Sequence, residues 1–256
     1  MPATVIYVDD AFAERYDLRL GYVGSSYHYN RVAVISGNDD GAYYLSRQVR
    51  VYPRQFSYYT SMAYIGLDRC VEIGEAAFYQ CSSLASVYAP TCKSVGKSAF
   101  NGCASLMGVS LPKCSTIDLS AFYGCWSARY ATLPLCESLG SFAFAYCILL
   151  SSVSAPKLRD VGSYAFYCCS ALASLSLPAC ESIGGNAFQS CVSLARLDLT
   201  SVSSVIPLGS SAFNNTPIAG GSGRVYVPYS LYNAYVIANN WSSISAQIDA
   251  YIPDGN

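Results

Sequence analysis

Ser182-Ile183-Gly184-Gly185-Asn186-Ala187-Phe188-Gln189-Ser190-Cys191-Val192-Ser193-Leu194-Ala195-Arg196-Leu197-Asp198-Leu199 decides how the rest of the chain reads. Its Ala187-Phe188 pair recurs upstream at Ala77-Phe78, Ala99-Phe100, Ala121-Phe122, Ala143-Phe144 and Ala165-Phe166, each phenylalanine 22 residues after the last. The interval lengthens once, by three residues, to Ala212-Phe213. A fixed period of this length is the signature of a solenoid, in which each rung buries its apolar residues only by stacking on its neighbours.

Within a rung the apolar residues are spaced as L-x-x-L-x-L-x-x-N/C, seen at Leu106-x-x-Val109-x-Leu111-x-x-Cys114 and at Leu172-x-x-Leu175-x-Leu177-x-x-Cys180. This is the leucine-rich-repeat pattern, whose middle is a short strand with alternate residues facing core and solvent. Proline follows at Pro90, Pro112, Pro134, Pro156 and Pro178, where a missing donor ends the ladder. The Gly-x-x-Ala-Phe segment then returns along the opposite side, and its spacing predicts a short helical turn that drives phenylalanine inward. The expected fold is therefore an α/β leucine-rich-repeat solenoid with a parallel β-sheet face.

Twelve cysteines would suggest a disulfide framework in a small secreted chain, but their spacing argues otherwise. They fall at intervals of 11 from Cys70 to Cys191, interrupted where Leu158 stands in, with Cys168 as an extra. One set follows each phenylalanine by three and the other precedes it by eight, so stacking turns each set into a column. A buried free thiol behaves as a small apolar residue, which suits such a column. Bridges between adjacent rungs are the lesser alternative: strands ~4.8 Å apart lie within reach, but parallel side chains would have to turn toward each other. A metal site needs converging ligands such as C-x-x-C, which are lacking, and the only histidine, His28, lies outside the repeats. No metal and no cofactor is expected.

Hydrophobic content of 52% with 12% charge is ample for a continuous core. A net charge of −1 gives no electrostatic footprint for nucleic acid or an anionic membrane. Six basic and six acidic residues fall within residues 1–60, leaving the repeats faced mostly with Ser, Ala, Gly and Tyr. No apolar run approaches the roughly 18 residues of a membrane span, so no membrane insertion is expected. The start, Met1-Pro2-Ala3-Thr4-Val5-Ile6, lacks the basic and apolar regions of a secretory signal, which implies either that this route is not used or that the chain has been trimmed.

Outside the repeats the expected organisation is a β-rich N-terminal cap or mounting segment over residues 1–57, repeats over 58–215 with rungs beginning near Ser61, and a C-terminal cap over 216–256. Thr4–Val8, Arg31–Ile35, Tyr43–Leu45 and Gln48–Tyr52 read as strands, with a turn at Gly37–Gly41. Its many tyrosines suit capping better than an interface. After Gly220-Gly221-Ser222-Gly223, residues Arg224–Pro228 read as a last strand. Ser230 is placed to cap an amphipathic helix with Leu231, Tyr235, Ala238, Trp241, Ile244 and Ile248 on one face.

The recurring Ile-Gly-x-x-Ala-Phe-x-x-Cys-x-x-Leu followed by a strand and Leu-Pro resembles the BspA-type leucine-rich repeat, over roughly Cys70 to Phe213. Asp118 in place of Gly, Ala128 and Ala131 in place of larger core residues, and Leu158 in place of Cys depart from it. The resemblance implies a non-enzymatic surface or phage-associated recognition protein of gut bacteria. The Tyr-Val-Pro-x-Ser-Leu wording near the C-terminus resembles a terminal segment of repeat proteins of Firmicutes and their phages.

Catalysis finds no constellation: no motif places a base beside a nucleophile and no Gly-rich phosphate loop precedes a helix. Recognition is the stronger expectation, because the outward strand positions of stacked rungs would form one continuous face. On that face Tyr88, Met107, Arg129 and Tyr130 are bulky toward one end, and Arg196 and Asp198 are charged at the other. Tyrosine and arginine dominate interface energetics, so a hot spot is expected at Arg129-Tyr130 with Tyr88. Tyr79, Tyr123 and Tyr167 on the return side suit packing between rungs better than binding. The expected partner is a host-surface protein or glycan, with virion association after cytoplasmic folding, or else display on a bacterial surface or secretion. The alternative is a structural protein that packs against copies of itself.

Overall fold

The fold is that of a computed structural model, which describes the backbone of residues 42–44 and residues 50–252. The strands predicted at Thr4–Val8 and Arg31–Ile35, the turn at Gly37–Gly41, and His28 lie outside the described residues. Two stacks of parallel strands run along the solenoid. Numbered along the chain, the front stack consists of β1 (Ala42–Tyr44), β3 (Tyr64–Gly66), β5 (Ser86–Tyr88), β7 (Gly108–Ser110), β9 (Tyr130–Thr132), β11 (Ser152–Ser154), β13 (Ser174–Ser176), β15 (Arg196–Asp198), β16 (Arg224–Pro228) and β17 (Ile248–Tyr251). The back stack consists of two-residue strands: β2 (Arg50–Val51), β4 (Glu72–Ile73), β6 (Ser94–Val95), β8 (Thr116–Ile117), β10 (Ser138–Leu139), β12 (Asp160–Val161) and β14 (Ser182–Ile183). The expected solenoid and its parallel front face are present. Its rung pattern reaches back beyond Ser61, since β2 pairs with β4 and the Phe56 ring stacks on Phe78.

The return segment departs from the helical turn that its spacing predicts. An α-helix would satisfy every N–H internally; here alternate ones point to the next rung. The N–H groups of Ala76, Phe78 and Gln80 donate to the carbonyls of Lys97, Ala99 and Asn101, at 2.7–2.8 Å. Those of Ala77, Tyr79 and Cys81 close turns within the rung on Gly74, Ala76 and Phe78. This alternation requires left-handed residues two before and two after each phenylalanine, such as Ala76 (φ 51°) and Gln80 (φ 58°). Each costs roughly 1 kcal/mol for a residue with a Cβ, offset by a ladder that runs from rung to rung.

Phenylalanines fill the core between the two stacks. From Phe56 to Phe213 their rings stack one rung apart, with centroids 5.0–5.9 Å from each other and nearly parallel planes. Burying each ring contributes about 1.5–3 kcal/mol, before any gain from the stacking. Every cysteine except Cys168 is buried, and all twelve are free thiols. Those following phenylalanine donate to the carbonyl of the phenylalanine one rung earlier, as Cys103 Sγ does to Phe78 at 3.1 Å and Cys191 Sγ to Phe166 at 3.0 Å. Those of the other column donate two residues ahead, as Cys92 does to Ser94 at 3.2 Å. The thiol thus fills a small apolar slot and supplies a weak donor to a core carbonyl.

Glycine recurs beside the back stack because the rungs approach closely there. A Cβ on Gly162 would lie 2.6 Å from the Gly140 carbonyl carbon and the Leu139 oxygen. Asp118 interrupts that column, and its carboxylate accepts a hydrogen bond from the Leu119 N–H at 2.6 Å.

At the C-terminal end the single helix expected from Ser230 is divided. A 3-10 turn over Tyr229–Leu231 leads into α1 (Tyr232–Ile237), a second 3-10 segment covers Trp241–Gln247, and Ile248 already belongs to β17. Ser230 lies inside the 3-10 turn, and the N-cap positions fall instead on Pro228 and Leu231, neither of which makes a side-chain cap hydrogen bond. The helix ends at Ile237 with Ala238 extended, and Asn240 at φ 63° then redirects the chain so that Trp241 turns back onto the last rung. Tyr235, Trp241, Ile244 and Ile248 are buried as their spacing predicts. Trp241 Nε1 donates to the Ile206 carbonyl at 2.8 Å, Asn240 Nδ2 to that of Leu208 at 2.6 Å, and the Tyr235 hydroxyl accepts from the Ile206 N–H at 3.3 Å. These groups belong to the stretch in which the last rung is three residues longer than the others.

Candidate recognition surface

The front stack is not the continuous face that stacking alone predicts. It divides into β1-β3-β5, β7-β9-β11 and β13-β15-β16-β17, whereas the back stack is one seven-stranded sheet. Each break lies beside a rung whose strand ends in Ala-Pro rather than Leu-Pro: Ala89 in one, Ala155 in the other. Elsewhere the residue after the strand donates to the next rung, as Leu67 does to Tyr88, Leu111 to Thr132, Leu133 to Ser154 and Leu177 to Asp198. No such bond leaves Ala89 or Ala155. A methyl group fills less of the core slot than an isobutyl group, and the central strand residue of the same rung is less well covered. Val87 and Val153 are half-buried, while Ile65, Val109, Ala131, Leu175 and Leu197 are buried.

The sequence-predicted site residues fall into two groups. Tyr88, Met107 and Tyr130 are 51%, 55% and 48% exposed, and Arg129 is exposed beside Tyr130. The Tyr130 ring lies over Gly108, which has no side chain to hold it off. Arg129 makes no ion pair among the described residues. Farther along, Arg196 donates to Asp198 at 3.4 Å, and its guanidinium carbon lies 4.1 Å from the centre of the Tyr226 ring. Burial alone would raise the Asp198 pKa, but hydrogen bonds from the Thr200 N–H and hydroxyl and from Arg196 hold it below the usual carboxylate range. The charges of this second group are therefore answered within the fold.

The turn edge carries a feature only partly legible in the sequence. Tyr123, Tyr146 and Tyr167 meet edge to face at 5.2–5.3 Å, and Tyr164 extends the run to a stacked Phe142 at 4.6 Å. Tyr79 meets Tyr58 in the same way. The packing between rungs expected of Tyr79, Tyr123 and Tyr167 is thus what the fold contains. Hydrogen bonding with Tyr146 and Cys168 pushes the Tyr167 hydroxyl up to about 12. Trp126, Ile148 and Leu149 stand exposed in these rungs. Sequence reasoning had no signal for them, because they occupy unpatterned positions just after the cysteines.

A groove of about 540 Å³ crosses the back sheet between Arg50, Tyr52, Glu72, Ser94, Thr116 and Asp118. Among the described residues no cluster of ligands would hold a metal ion, and no helix is long and apolar enough to cross a membrane. Burial pushes the Cys81 and Cys191 thiols up to about 12, so these sulfurs are structural rather than nucleophilic.

Short parallel strands on one side, tight turns on the other and an apolar column between them define a leucine-rich-repeat solenoid with an open front face. The BspA-type leucine-rich-repeat model matches six copies over residues 50–135 and 115–220, well over half of the chain. The chain belongs to that family. Among solved structures it is similar to a leucine-rich-repeat protein of T. pallidum, at 23% identity and a TM-score of 0.51, over 70% of this chain and 77% of that one. It is also similar to a leucine-rich-repeat protein from Bacteroides ovatus (19% identity, TM-score 0.49, 79% of this chain and 57% of that one). A leucine-rich cell surface protein from Faecalibacterium prausnitzii matches at 21% identity and a TM-score of 0.47, over 83% and 77% of the two chains. None of the curated proteins matches the chain.

Proposed function

We propose that this chain is a non-enzymatic recognition module that binds a host-surface protein or glycan through its front strand face, centred on Tyr88, Met107, Arg129 and Tyr130 with Arg196 and Asp198 at the far end. The observation that carries this reading is the exposure, on adjacent rungs of an otherwise hydroxyl-lined sheet, of three bulky side chains and an arginine that has no ion pair among the described residues. Residues of these types contribute most to interface energy. Display on a virion after cytoplasmic folding, or on a bacterial surface, is the setting this reading implies. It is tested by measuring retention of the purified chain on cell envelopes and glycan arrays, alongside Tyr88→Ala and Tyr130→Ala variants. Retention that both variants leave unchanged removes the front face from the reading.

A second reading, self-assembly into a structural array, is favoured by the uncharged turn edge with exposed Trp126, Ile148 and Leu149. Light-scattering mass across a wide concentration range, with and without reductant, separates the two. A constant monomer leaves the front face free for a ligand, and assembly in both buffers makes self-association the function.

A further inference from the structure

The first interruption of the front sheet differs from the rest of the face in several independent respects. The Ala89 N–H does not continue the ladder, and Val87 is half-buried at a position buried in most other rungs. On one side of the break stands Tyr88; on the other stand Met107, the bare backbone of Gly108 and the Tyr130 ring leaning over that glycine. Together Tyr88, Met107 and Tyr130 make an exposed, largely apolar patch with two aromatic rings. Arg129, beside Tyr130, is exposed without an ion pair among the described residues, whereas Arg159 and Arg196 are paired with Glu181 and Asp198. Val153 is half-buried at the second interruption too, but the strands flanking it carry Ser152, Ser154, Ser174 and Ser176 outward, and Tyr130, one strand farther in, turns its ring the other way, over Gly108.

We infer that the strands bordering the first interruption seat a protein segment presenting an apolar side chain next to a carboxylate, the apolar group against Tyr88, Met107 and Tyr130 and the carboxylate on Arg129. This rests on the front-face reading above and narrows its partner from protein or glycan to protein. Exposed Met107 offers nothing to sugar hydroxyls, but with the two tyrosine rings it suits an aliphatic or aromatic anchor. An exposed guanidinium with no ion-pair partner among the described residues complements a carboxylate, which it binds in bidentate geometry.

The test is to pan a random display library of short peptides against the full chain, then to measure the enriched peptides against variants. The expected result is enrichment of an aliphatic or aromatic residue adjacent to Asp or Glu, with binding about tenfold weaker in Arg129→Ala and in Tyr130→Ala and unchanged in Ser176→Ala. Equal melting temperatures of these variants would assign the loss to binding rather than folding. No enrichment, or enriched peptides without an acidic residue, would overturn the inference. Peptides that lose affinity in Arg196→Ala instead would overturn it while leaving the front face as the recognition surface. Peptide binding indifferent to every front-face variant would sink both readings. A glycan array signal lost in Tyr130→Ala would keep the surface and replace the protein partner with a sugar.

Discussion

The front and back sheets are built from the same rungs, yet one is interrupted twice and the other not at all. The back strands point Val51, Ile73, Val95, Ile117, Leu139, Val161 and Ile183 into the core, all large aliphatic residues. The front rungs put Leu67, Ala89, Leu111, Leu133, Ala155 and Leu177 at one core position, and the ladder fails beside each alanine. Continuity of a stacked sheet thus follows the uniformity of the side chains beneath it, because a smaller residue leaves the strand above it less firmly seated. The back sheet adds a second constraint in its glycine column, where backbones nearly touch. The front sheet is free to vary, and the variation falls where large exposed side chains gather.

The largest expected effect treats the two sheets alike. Burial raises the Cys70 thiol to about 11 and those of Cys81, Cys180 and Cys191 to about 12, above the ordinary 9.0. The native state therefore holds these protons more tightly than the unfolded chain. The stability they contribute is complete below pH 9 and is lost as pH rises through the folded values. Thermal melts in reductant should be flat up to that point and collapse above it; a melting temperature that holds through the alkaline range would mean that the columns are not buried in solution.

Phe122→Ala comes next, with an expected loss of about 3–5 kcal/mol in chemical denaturation, since its ring is shared between neighbouring rungs. A neutral outcome would place the ring outside the core. The two sheets should then separate at their glycines. Gly162→Ala forces a Cβ against backbone and should cost about 1–3 kcal/mol, whereas at Gly108 the added methyl meets only the Tyr130 ring, which swings aside, for about 0.5 kcal/mol or less. Equal losses would erase the contrast between a constrained back and a permissive front. The smallest effect is expected from Ala89→Leu, which matches the leucines of the intact rungs. It should slow hydrogen exchange of the residue-89 amide about tenfold while changing stability by less than about 1.5 kcal/mol. Unchanged exchange would show that alanine is not what interrupts the ladder.

Much of this was legible in the sequence because the period is strict. The phenylalanine and cysteine columns follow from residues 22 apart, the exposure of Tyr88 and Tyr130 follows from strand alternation, and that of Met107 from its place in the L-x-x-L spacing just before the strand. The return side was not legible: Ala76, Ser98, Ser120 and Phe142 adopt left-handed backbone with no residue preference to announce it, driven by hydrogen bonds between rungs. Phe56 escaped notice because Gln55 precedes it where later rungs have alanine. Ala89 was visible as a substitution, but its consequence depends on the volume shared with the rungs on either side. The pairing of Arg196 with Asp198 could be read from their positions on one strand face; the Tyr226 ring beneath the guanidinium could not, since it comes from the cap.

The long last rung has a consequence for how such a chain sets its own length. Rungs of equal size are interchangeable, so a growing stack carries no internal mark of where it should stop. Here Tyr235, Asn240 and Trp241 grip backbone groups of Ile206 and Leu208, and Ile206 belongs to the stretch that lengthens this rung. The cap therefore recognises one rung and ignores the rest, and whole 22-residue units can be gained or lost upstream without disturbing the terminus. Length, and with it the span of the front face, becomes a quantity that duplication can tune.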